Sequence, residues 1–233
     1  MLRIGFATRD ITPPRAALIQ GQMHTRIGPD AKDPITLTAM AIEGGDPTDA
    51  AIIVSCDIAY PPPQLYDAVR EQLNQRISDF PADKLIMNAT HTHDSMVLED
   101  GFYPHPDGDV MTADDCFAFL ADKVTDAASE AWQSRKQRII GHAFGHAVVG
   151  HNRHAVYADG HAQMYGKTGD PTFQHIGGYE DHSVDMIFVW TPDGKLEGVV
   201  IAIPCPSQVE EHLEQFSADF WHEVRLELHK HLH

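Results

Sequence analysis

Two histidines separated by a single residue are the strongest candidate for chemistry in this sequence. His91 and His93 follow the apolar run Leu85–Met87, which predicts a short buried strand. If the backbone stays extended past that strand, both imidazoles point to one face, because side chains in a strand repeat every two residues. Two imidazoles on one face form half of a site for a divalent metal, most readily zinc. The alternative is that each histidine is hydrogen-bonded locally in a turn after the strand.

A carboxylate follows a second predicted strand. The apolar run Ala50–Val54 predicts a buried strand, and Asp57 stands shortly after its end. Open α/β sheets place their sites at the carboxyl ends of strands, so we expect Asp57 to lie near His91 and His93. The alternative role for Asp57 is that of a loop cap.

Apolar periodicity predicts the helices that pack on these strands. Apolar residues recur every four positions over 63–79, and Thr112 with Asp115 resembles a capping box that opens a helix over 112–134. Ser217 is predicted to cap a last helix with an apolar stripe. The residues of that stripe are Phe220, Val224, Leu228 and Leu232.

The remaining segments predict further strands and two long loops. Residues 184–203 form a predicted hairpin, with its turn at Pro192–Gly194. Segments 95–111 and 155–183 are rich in glycine and polar residues, a composition typical of loops. All elements together predict an α/β fold, a mixed β-sheet packed with helices, in one domain over residues 1–233.

Charge and composition exclude several classes of function. The chain has 17 Lys and Arg against 34 Asp and Glu, a net charge of −17, so a nucleic acid would be repelled at long range. No segment is apolar enough to span a bilayer, and the N-terminus lacks an apolar signal region, so we expect a cytoplasmic protein without a transmembrane segment. Three cysteines are too few and too scattered for a disulfide framework or a cysteine-based zinc site. The oligomeric state stays open.

Six short motifs occur in order along nearly the whole chain. They are Ile4–Pro14, Gly21, Ile53–Asp57, Ala89–His93, Asn152–Arg153 and Ser217–Phe220. Together they resemble the N-terminal part of the catalytic domain in the neutral/alkaline, non-lysosomal ceramidase family. The Thr-His-Thr-His segment that ends at His93 is the most specific of these similarities.

The resemblance implies a zinc-dependent hydrolase of sphingolipid metabolism that cleaves the N-acyl amide bond of ceramide-like lipids. In such a site, His91 binds the zinc, and His93 binds it as well or transfers protons as a catalytic residue. The metal polarises the substrate carbonyl and lowers the pKa of a bound water. The implied partner is therefore a small-molecule or lipid amide substrate.

The resemblance also implies roles for residues outside the histidine pair. Arg153 is a catalytic residue and, together with Asn152, binds the substrate, because its planar donors suit a carbonyl or hydroxyl group. Gly21 lets the backbone approach the ligand, and Asp57 orients a metal-bound imidazole through a hydrogen bond to its other nitrogen. A surface ion pair is the alternative role for Arg153.

Two departures from the family pattern affect the metal site. The family's second metal-binding histidine lies in a Cys-His-Pro context, where this chain has Cys205, Pro206 and Ser207. A Cys205 thiolate or His212 are the alternatives for that ligand. The family's further ligands lie beyond residue 233, so we expect this chain to be the N-terminal part of a longer catalytic domain. Because a catalytic zinc takes three protein ligands, we expect weak zinc binding and little hydrolysis by this chain alone.

Four other interpretations fit parts of the pattern. An amidohydrolase barrel also places His-x-His at a strand end, but the predicted elements fall short of eight strand–helix units. A metallo-β-lactamase-like site has an aspartate two residues after the second histidine, where this chain has Ser95. The third is an inert ceramidase-like module for binding or assembly. The fourth is a metal hydrolase that acts on a different amide or ester.

Overall fold

The computed structural model describes residues 1–46, 48–105 and 107–232. Its backbone contacts divide the chain into two compact units. The first unit consists of Met1–Ile139, Trp190–Leu196 and the chain from Pro206 onward, and the second consists of Ile140–Val189 and Glu197–Cys205. The second unit is therefore an insertion in the sequence of the first. One domain over 1–233 stays a prediction.

A five-stranded mixed sheet is the centre of the first unit. In chain order, the strands of this unit are β1 (Arg3–Asp10), β2 (Ala17–Leu18), β3 (Ile27–Gly28), β4 (Thr36–Glu43), β5 (Ala50–Cys56), β6 (Leu85–Ala89) and β7 (Lys136–Gln137). The sheet has the order β6-β5-β4-β1-β7. Strands β5 and β6 pair in parallel, and the other neighbours in this sheet pair antiparallel. Strands β2 and β3 form a separate ribbon.

Two helices pack on this sheet and confirm the predicted α/β architecture. Helix α1 (Pro63–Arg76) begins with a proline, which lacks the N–H that a first turn leaves unpaired, and it buries its apolar stripe. Helix α2 (Ala113–Gln133) opens with the predicted capping box of Thr112 and Asp115. It packs on β1, β4 and α1. Both predicted helices are thus confirmed, with small shifts at their ends.

The parallel pair β5 and β6 brings two strand ends together. Cys56 at the end of β5 pairs with Ala89 at the end of β6. Beyond that pair, the His91 backbone N–H donates to the Ile58 carbonyl oxygen at 3.1 Å. Asp57 and the histidine segment therefore leave the sheet side by side, as predicted.

Strand β6 is buried on one face only. Leu85 and Met87 point into the core, whereas Ile86 is 51% exposed. β6 is an edge strand of the sheet, and its side chains alternate between the two faces of the pleat. The predicted strand is therefore confirmed in position, but the expectation that Ile86 is buried with its neighbours is wrong.

The second unit contains two three-stranded sheets. Its strands are β8 (Ile139–His146), β9 (His154–Tyr157), β10 (Ala162–Met164), β11 (Phe173–Ile176), β12 (Ser183–Trp190) and β13 (Leu196–Ala202). One end residue each of β8, β12 and β13 belongs to the first unit, namely Ile139, Trp190 and Leu196. The sheets have the orders β13-β12-β8 and β10-β9-β11. The predicted hairpin is confirmed as β12 and β13. The predicted long loop over 155–183 is wrong, because β10 and β11 are short, largely exposed strands without apolar alternation.

The last helix begins later than the sequence predicts. Helix α3 starts at Phe220 and runs over Phe220–Leu232. Ser217 does not cap it, because its hydroxyl accepts from the Asp219 N–H before the helix and donates to Asp33. The predicted apolar stripe is present, but none of the described residues of α3 is buried. Within the described ranges, no helix combines the length and apolar character needed to cross a membrane.

Candidate active site

The histidine pair lies in a turn rather than in extended backbone. Strand β6 ends at Ala89, and His91 has a φ of 62°, in the left-handed region. The predicted reason for the pairing is therefore wrong, because the two-residue repeat of a strand does not apply in this turn. The imidazoles nevertheless meet, with 3.2 Å between the Nε2 atoms of His91 and His93.

The ring of His91 is held by the backbone. Its Nδ1 lies 2.6 Å from the carbonyl oxygen of Ala59, in the segment that follows β5. A carbonyl oxygen only accepts hydrogen bonds, so Nδ1 carries the proton and Nε2 of the neutral ring presents a lone pair. The end of β5 thus sets the tautomer of His91 and directs its Nε2 toward His93.

Gly21 packs directly against His93. It has a φ of 116°, and a Cβ atom at this position would lie 2.5 Å from the Cβ of His93. Both the backbone conformation and the available space therefore require glycine. The structure brings Gly21 to the histidine pair, and its predicted approach to a substrate stays a prediction.

Two residues that the sequence analysis missed contact His93. The amide nitrogen of Gln208 lies 2.7 Å from Nε2 and 3.1 Å from Nδ1 of His93. Oε2 of Glu211 lies 3.5 Å from the same Nδ1 and 3.2 Å from the Gln208 amide nitrogen. Both residues closely follow Pro206, where the family pattern places its second histidine. That position is the only sequence signal that points to them.

Neighbouring loops connect to the Glu211 backbone. The side-chain amide of Gln22 donates to the Glu211 carbonyl oxygen at 2.8 Å. The Tyr103 hydroxyl in turn donates to the Gln22 carbonyl oxygen at 2.6 Å. The predicted long loop over 95–111 therefore supports the residues around His93.

The Ser217–Phe220 motif binds the histidine segment through its backbone. The Thr92 hydroxyl donates to the Ser217 carbonyl oxygen at 2.8 Å, and the Ser217 N–H donates to the Asp94 carbonyl oxygen at 3.0 Å. Ser217 is itself held by its hydrogen bond to Asp33, at 2.6 Å. These bonds fix the residues on either side of His93.

The same motif also binds the segment that carries Gln208 and Glu211. Asp219 has a φ of 56°, and its Oδ2 accepts from the backbone N–H groups of Val209 and Glu210 at 2.9 and 2.8 Å. The motif therefore joins the two segments that meet at His93.

A buried ion pair anchors the backbone of the histidine segment. Nη1 of Arg26 lies 2.7 Å from Oδ1 of Asp94, and both side chains are almost fully buried. The same guanidinium donates to the carbonyl oxygens of Gln20, His93 and Leu213. Burial raises the pKa of Asp94 to about 6, and the neighbouring Arg26 opposes that rise. Arg26 thereby ties three segments of the first unit together.

Asp57 is bound by donors other than an imidazole. Its fully buried carboxylate forms a two-point ion pair with Arg225 of α3, at 2.7 and 2.8 Å. Thr36 donates its backbone N–H at 2.8 Å, and the Thr90 hydroxyl donates at 3.1 Å. The group that holds His91 is the Ala59 carbonyl described above. Asp57 lies beside the histidine segment as predicted, but its observed bonds connect β4, the end of β6 and α3.

Asn152 and Arg153 belong to the second unit. Asn152 accepts from the His154 N–H at 3.0 Å and donates its side-chain amide to the Gly177 carbonyl oxygen. The Arg153 guanidinium lies 4.7 Å from the centre of the Tyr165 ring and donates to its hydroxyl. These contacts order both side chains within the second unit. Their predicted convergence with the histidine pair and their substrate contacts stay predictions.

The histidine pair fits one edge of a zinc site. In a tetrahedral site with Zn–N distances of about 2.0–2.1 Å, two nitrogens lie about 3.3 Å apart, close to the observed Nε2 separation of 3.2 Å. The lone pair of His91 Nε2 already faces this edge. Within the described part of the chain, no group of three or more His, Cys, Asp or Glu side chains could hold a metal. Zinc binding by the histidine pair, with Cys205 or His212 as a further ligand, stays a prediction.

Comparison with known proteins identifies the fold. No family model and no curated protein matches this chain in sequence. The solved structure of the neutral ceramidase from Pseudomonas aeruginosa matches 94% of this chain and 34% of that protein, with a TM-score of 0.67 and 17% identity. A structure of a ceramidase complexed with C2 matches 94% of this chain and 33% of that protein, with a TM-score of 0.60 and 17% identity. This chain spans about a third of the length of those ceramidases. Over that share it has a ceramidase-like fold.

Proposed function

We propose that this chain is part of a zinc-dependent hydrolase that cleaves the N-acyl amide bond of ceramide-like lipids. The observation that carries the proposal is the pair of Nε2 atoms of His91 and His93, 3.2 Å apart at the end of β6 in a ceramidase-like fold. A bare His-x-His is a weak signal, but its spacing matches an edge of a tetrahedral metal site.

In this proposal, each residue of the candidate site has a separate role. His91 and His93 would hold zinc through Nε2, and a bound zinc supplies Lewis-acid polarisation of a carbonyl and a more acidic water. The Ala59 carbonyl keeps the proton of His91 on Nδ1, at 2.6 Å, so that Nε2 is free to bind. Arg153 would hold a carbonyl or hydroxyl group of the substrate through its planar donors. Gly21 keeps the approach to His93 free of a side chain.

A second candidate is a ceramidase-like module for binding or assembly, without chemistry. The observation that favours it is the Gln208 amide nitrogen, 2.7 Å from His93 Nε2. This contact gives the ligating nitrogen a partner from the protein. Under this alternative, the histidine pair is a hydrogen-bonded structural element, and the chain binds no zinc.

A zinc titration by calorimetry separates the two candidates. We expect weak binding to the purified chain, because two imidazoles are fewer than the three ligands of a catalytic zinc. The His91→Ala variant should weaken it further, and His175→Ala, which removes an exposed histidine of β11, should not. Equal effects of the two variants would contradict a site at the histidine pair. No zinc binding to the unaltered chain would favour the inert module.

Hydrolysis tests the substrate class. Little or no release of fatty acid from a fluorescent N-acyl sphingosine is expected from residues 1–233 alone. A longer protein that supplies further ligands should release it, or should act on a related amide or ester. Rapid ceramide hydrolysis by residues 1–233 would show that the two-ligand description of the site is wrong.

A further inference from the structure

Arg153 is bound by one tyrosine through both its backbone and its side chain. Strand β9 pairs with β10 as far as His154 and Met164, and Arg153 and Tyr165 are the next residues on the two sides. The Tyr165 N–H donates to the Arg153 carbonyl oxygen at 2.8 Å. The Arg153 guanidinium donates to the Tyr165 hydroxyl and lies 4.7 Å from the centre of its ring. The two residues thus extend the β9–β10 pairing and also bind each other through their side chains.

Tyr165 has a backbone conformation that a tyrosine rarely adopts. Its φ of 56° lies in the left-handed region, where glycine and asparagine fit with less strain. Non-glycine residues in this region persist only where the surrounding structure fixes them, and they cluster at functional sites such as ligand clamps. A tyrosine at this position therefore indicates a role of its side chain that offsets the strain.

The fold holds the Tyr165 backbone independently of its side chain. The Gly166 N–H donates to the Gln163 carbonyl oxygen at 3.2 Å, which closes a turn around Tyr165. A Cβ atom on Gly166 would overlap with the Tyr157 hydroxyl and lie 2.7 Å from the Ala155 Cβ, so the chain packs directly on β9 after the turn. A substitution of the Tyr165 side chain therefore leaves the backbone contacts of this turn intact.

We propose that Tyr165 is a positioning residue for Arg153. An arginine side chain has many rotamers, and a contact that fixes one of them in advance reduces the entropy that is lost when a ligand binds. The negative face of an aromatic ring attracts a guanidinium, and the bond to the hydroxyl uses one of its five N–H donors. Tyr165 therefore orders the donors with which Arg153 would hold a carbonyl or hydroxyl group. The proposal rests on the proposed role of Arg153 in holding the substrate.

The test is the mobility of the Arg153 side chain in the protein without metal or substrate. ¹⁵N relaxation of the arginine Nε–H groups reports how rigidly each guanidinium is held, and the loss of one signal in Arg153→Lys identifies Arg153. We expect a rigid Arg153 in the unaltered chain and a mobile one in Tyr165→Asn, because asparagine suits the left-handed backbone but has no ring. Tyr165→Phe keeps the ring and removes the hydroxyl, so it should give an intermediate mobility. The matched control is Tyr179→Asn, which removes an 88% exposed tyrosine of the same unit and should change nothing.

Arg26 serves as the internal reference. Its side chain is almost fully buried in the first unit, so its Nε–H should stay rigid in all of these proteins. A mobile Arg153 in the unaltered chain, or an unchanged Arg153 in Tyr165→Asn, would overturn the proposal. So would a loss of order at Arg26 as large as that at Arg153, because Tyr165 would then support the fold in general rather than Arg153.

The kinetics of a longer, active protein connect this result to the proposed function. Tyr165 is 62% exposed, and loss of a cation–π contact at an exposed site corresponds to a factor of about 2–5. Tyr165→Asn should therefore raise KM for an N-acyl sphingosine by that factor. It should leave kcat nearly unchanged, because a group that binds ground state and transition state equally affects KM alone. An unchanged KM in a variant whose Arg153 has become mobile would overturn the link to substrate binding. Because the mobility is measured without metal or substrate, it can be confirmed even where the proposed function fails.

Discussion

At the scale of single residues, Gly21 beside the histidine pair has no room for a side chain. Its φ of 116° suits glycine, and a Cβ atom there would lie 2.5 Å from the Cβ of His93. Any side chain at this position therefore strains the backbone and also displaces the His93 imidazole. The two effects can be separated by comparison with a glycine where a side chain would strain the backbone but contact nothing.

We predict that Gly21→Ala destabilises the chain by about 1–3 kcal/mol for the backbone strain and by a further amount for the displacement of His93. Gly101→Ala is the matched control, because Gly101 has a φ of 97° and no atom within 4 Å of the added Cβ. Urea denaturation measures both, and zinc titration should show loss of binding in Gly21→Ala alone. Equal stability losses and equal zinc affinities in the two variants would contradict the described contact with His93.

At the scale of elements, a carboxylate at the end of a strand attaches the last helix. Asp57 follows β5 and is fully buried, and Arg225 reaches it from α3 with two hydrogen bonds. The described residues of α3 are at most partly buried, whereas Asp57 is fully buried. The ion pair therefore links this partly exposed helix to the end of β5.

We predict that Arg225→Met lowers the free energy of unfolding by about 3 kcal/mol, the low end for breaking a buried ion pair. The low end applies because Arg225 is partly exposed and Thr36 and Thr90 still donate to Asp57. Arg76→Met is the control, since it breaks an exposed ion pair of α1 with Asp126 that should contribute about 0–1 kcal/mol. If denaturant unfolding shows similar losses for the two variants, Asp57 does not depend on Arg225.

Elements with local signals could be predicted from the sequence, and bonds between distant segments could not. The capping box at Thr112 marks the start of α2, and apolar runs mark β5 and β6, because these signals lie within a few residues of each other. The approach of Glu211 to His93 depends on turns far apart in the chain and leaves no periodic pattern. The bend at His91 also has no local signal, since non-glycine residues at positive φ are uncommon. The pairing of the histidines was therefore predicted correctly for a reason that does not hold.

At the scale of the whole molecule, exposed apolar surface and net charge have opposite effects on association between copies of the chain. Helix α3 carries its apolar stripe partly uncovered, and Leu232 at its end is 38% exposed. Uncovered apolar surface favours association. The net charge of −17 opposes the approach of two copies, and salt screens this repulsion.

We predict that the chain binds a hydrophobic dye and associates more strongly as the salt concentration rises. Leu228→Glu, in the middle of the stripe, should reduce both effects by interrupting the apolar surface. Met23→Glu adds the same charge at a fully exposed residue of another segment and should reduce them less. Light scattering over a salt series measures association, and a compact monomer that binds no dye at any salt concentration would contradict this prediction.

The hydrogen bond from Thr92 to Ser217 joins residues 125 positions apart in the chain. Ribosomes add about 5–20 residues per second, so the histidine segment emerges on the order of ten seconds before its binding motif exists. During that interval the strands of the first unit can form, and the residues of the second unit are made in full. Contacts of such long range also form slowly in refolding, since a large loop must close before they contribute. We therefore expect the contacts between the Ser217–Phe220 motif and the histidine segment to form after the sheet from which that segment projects.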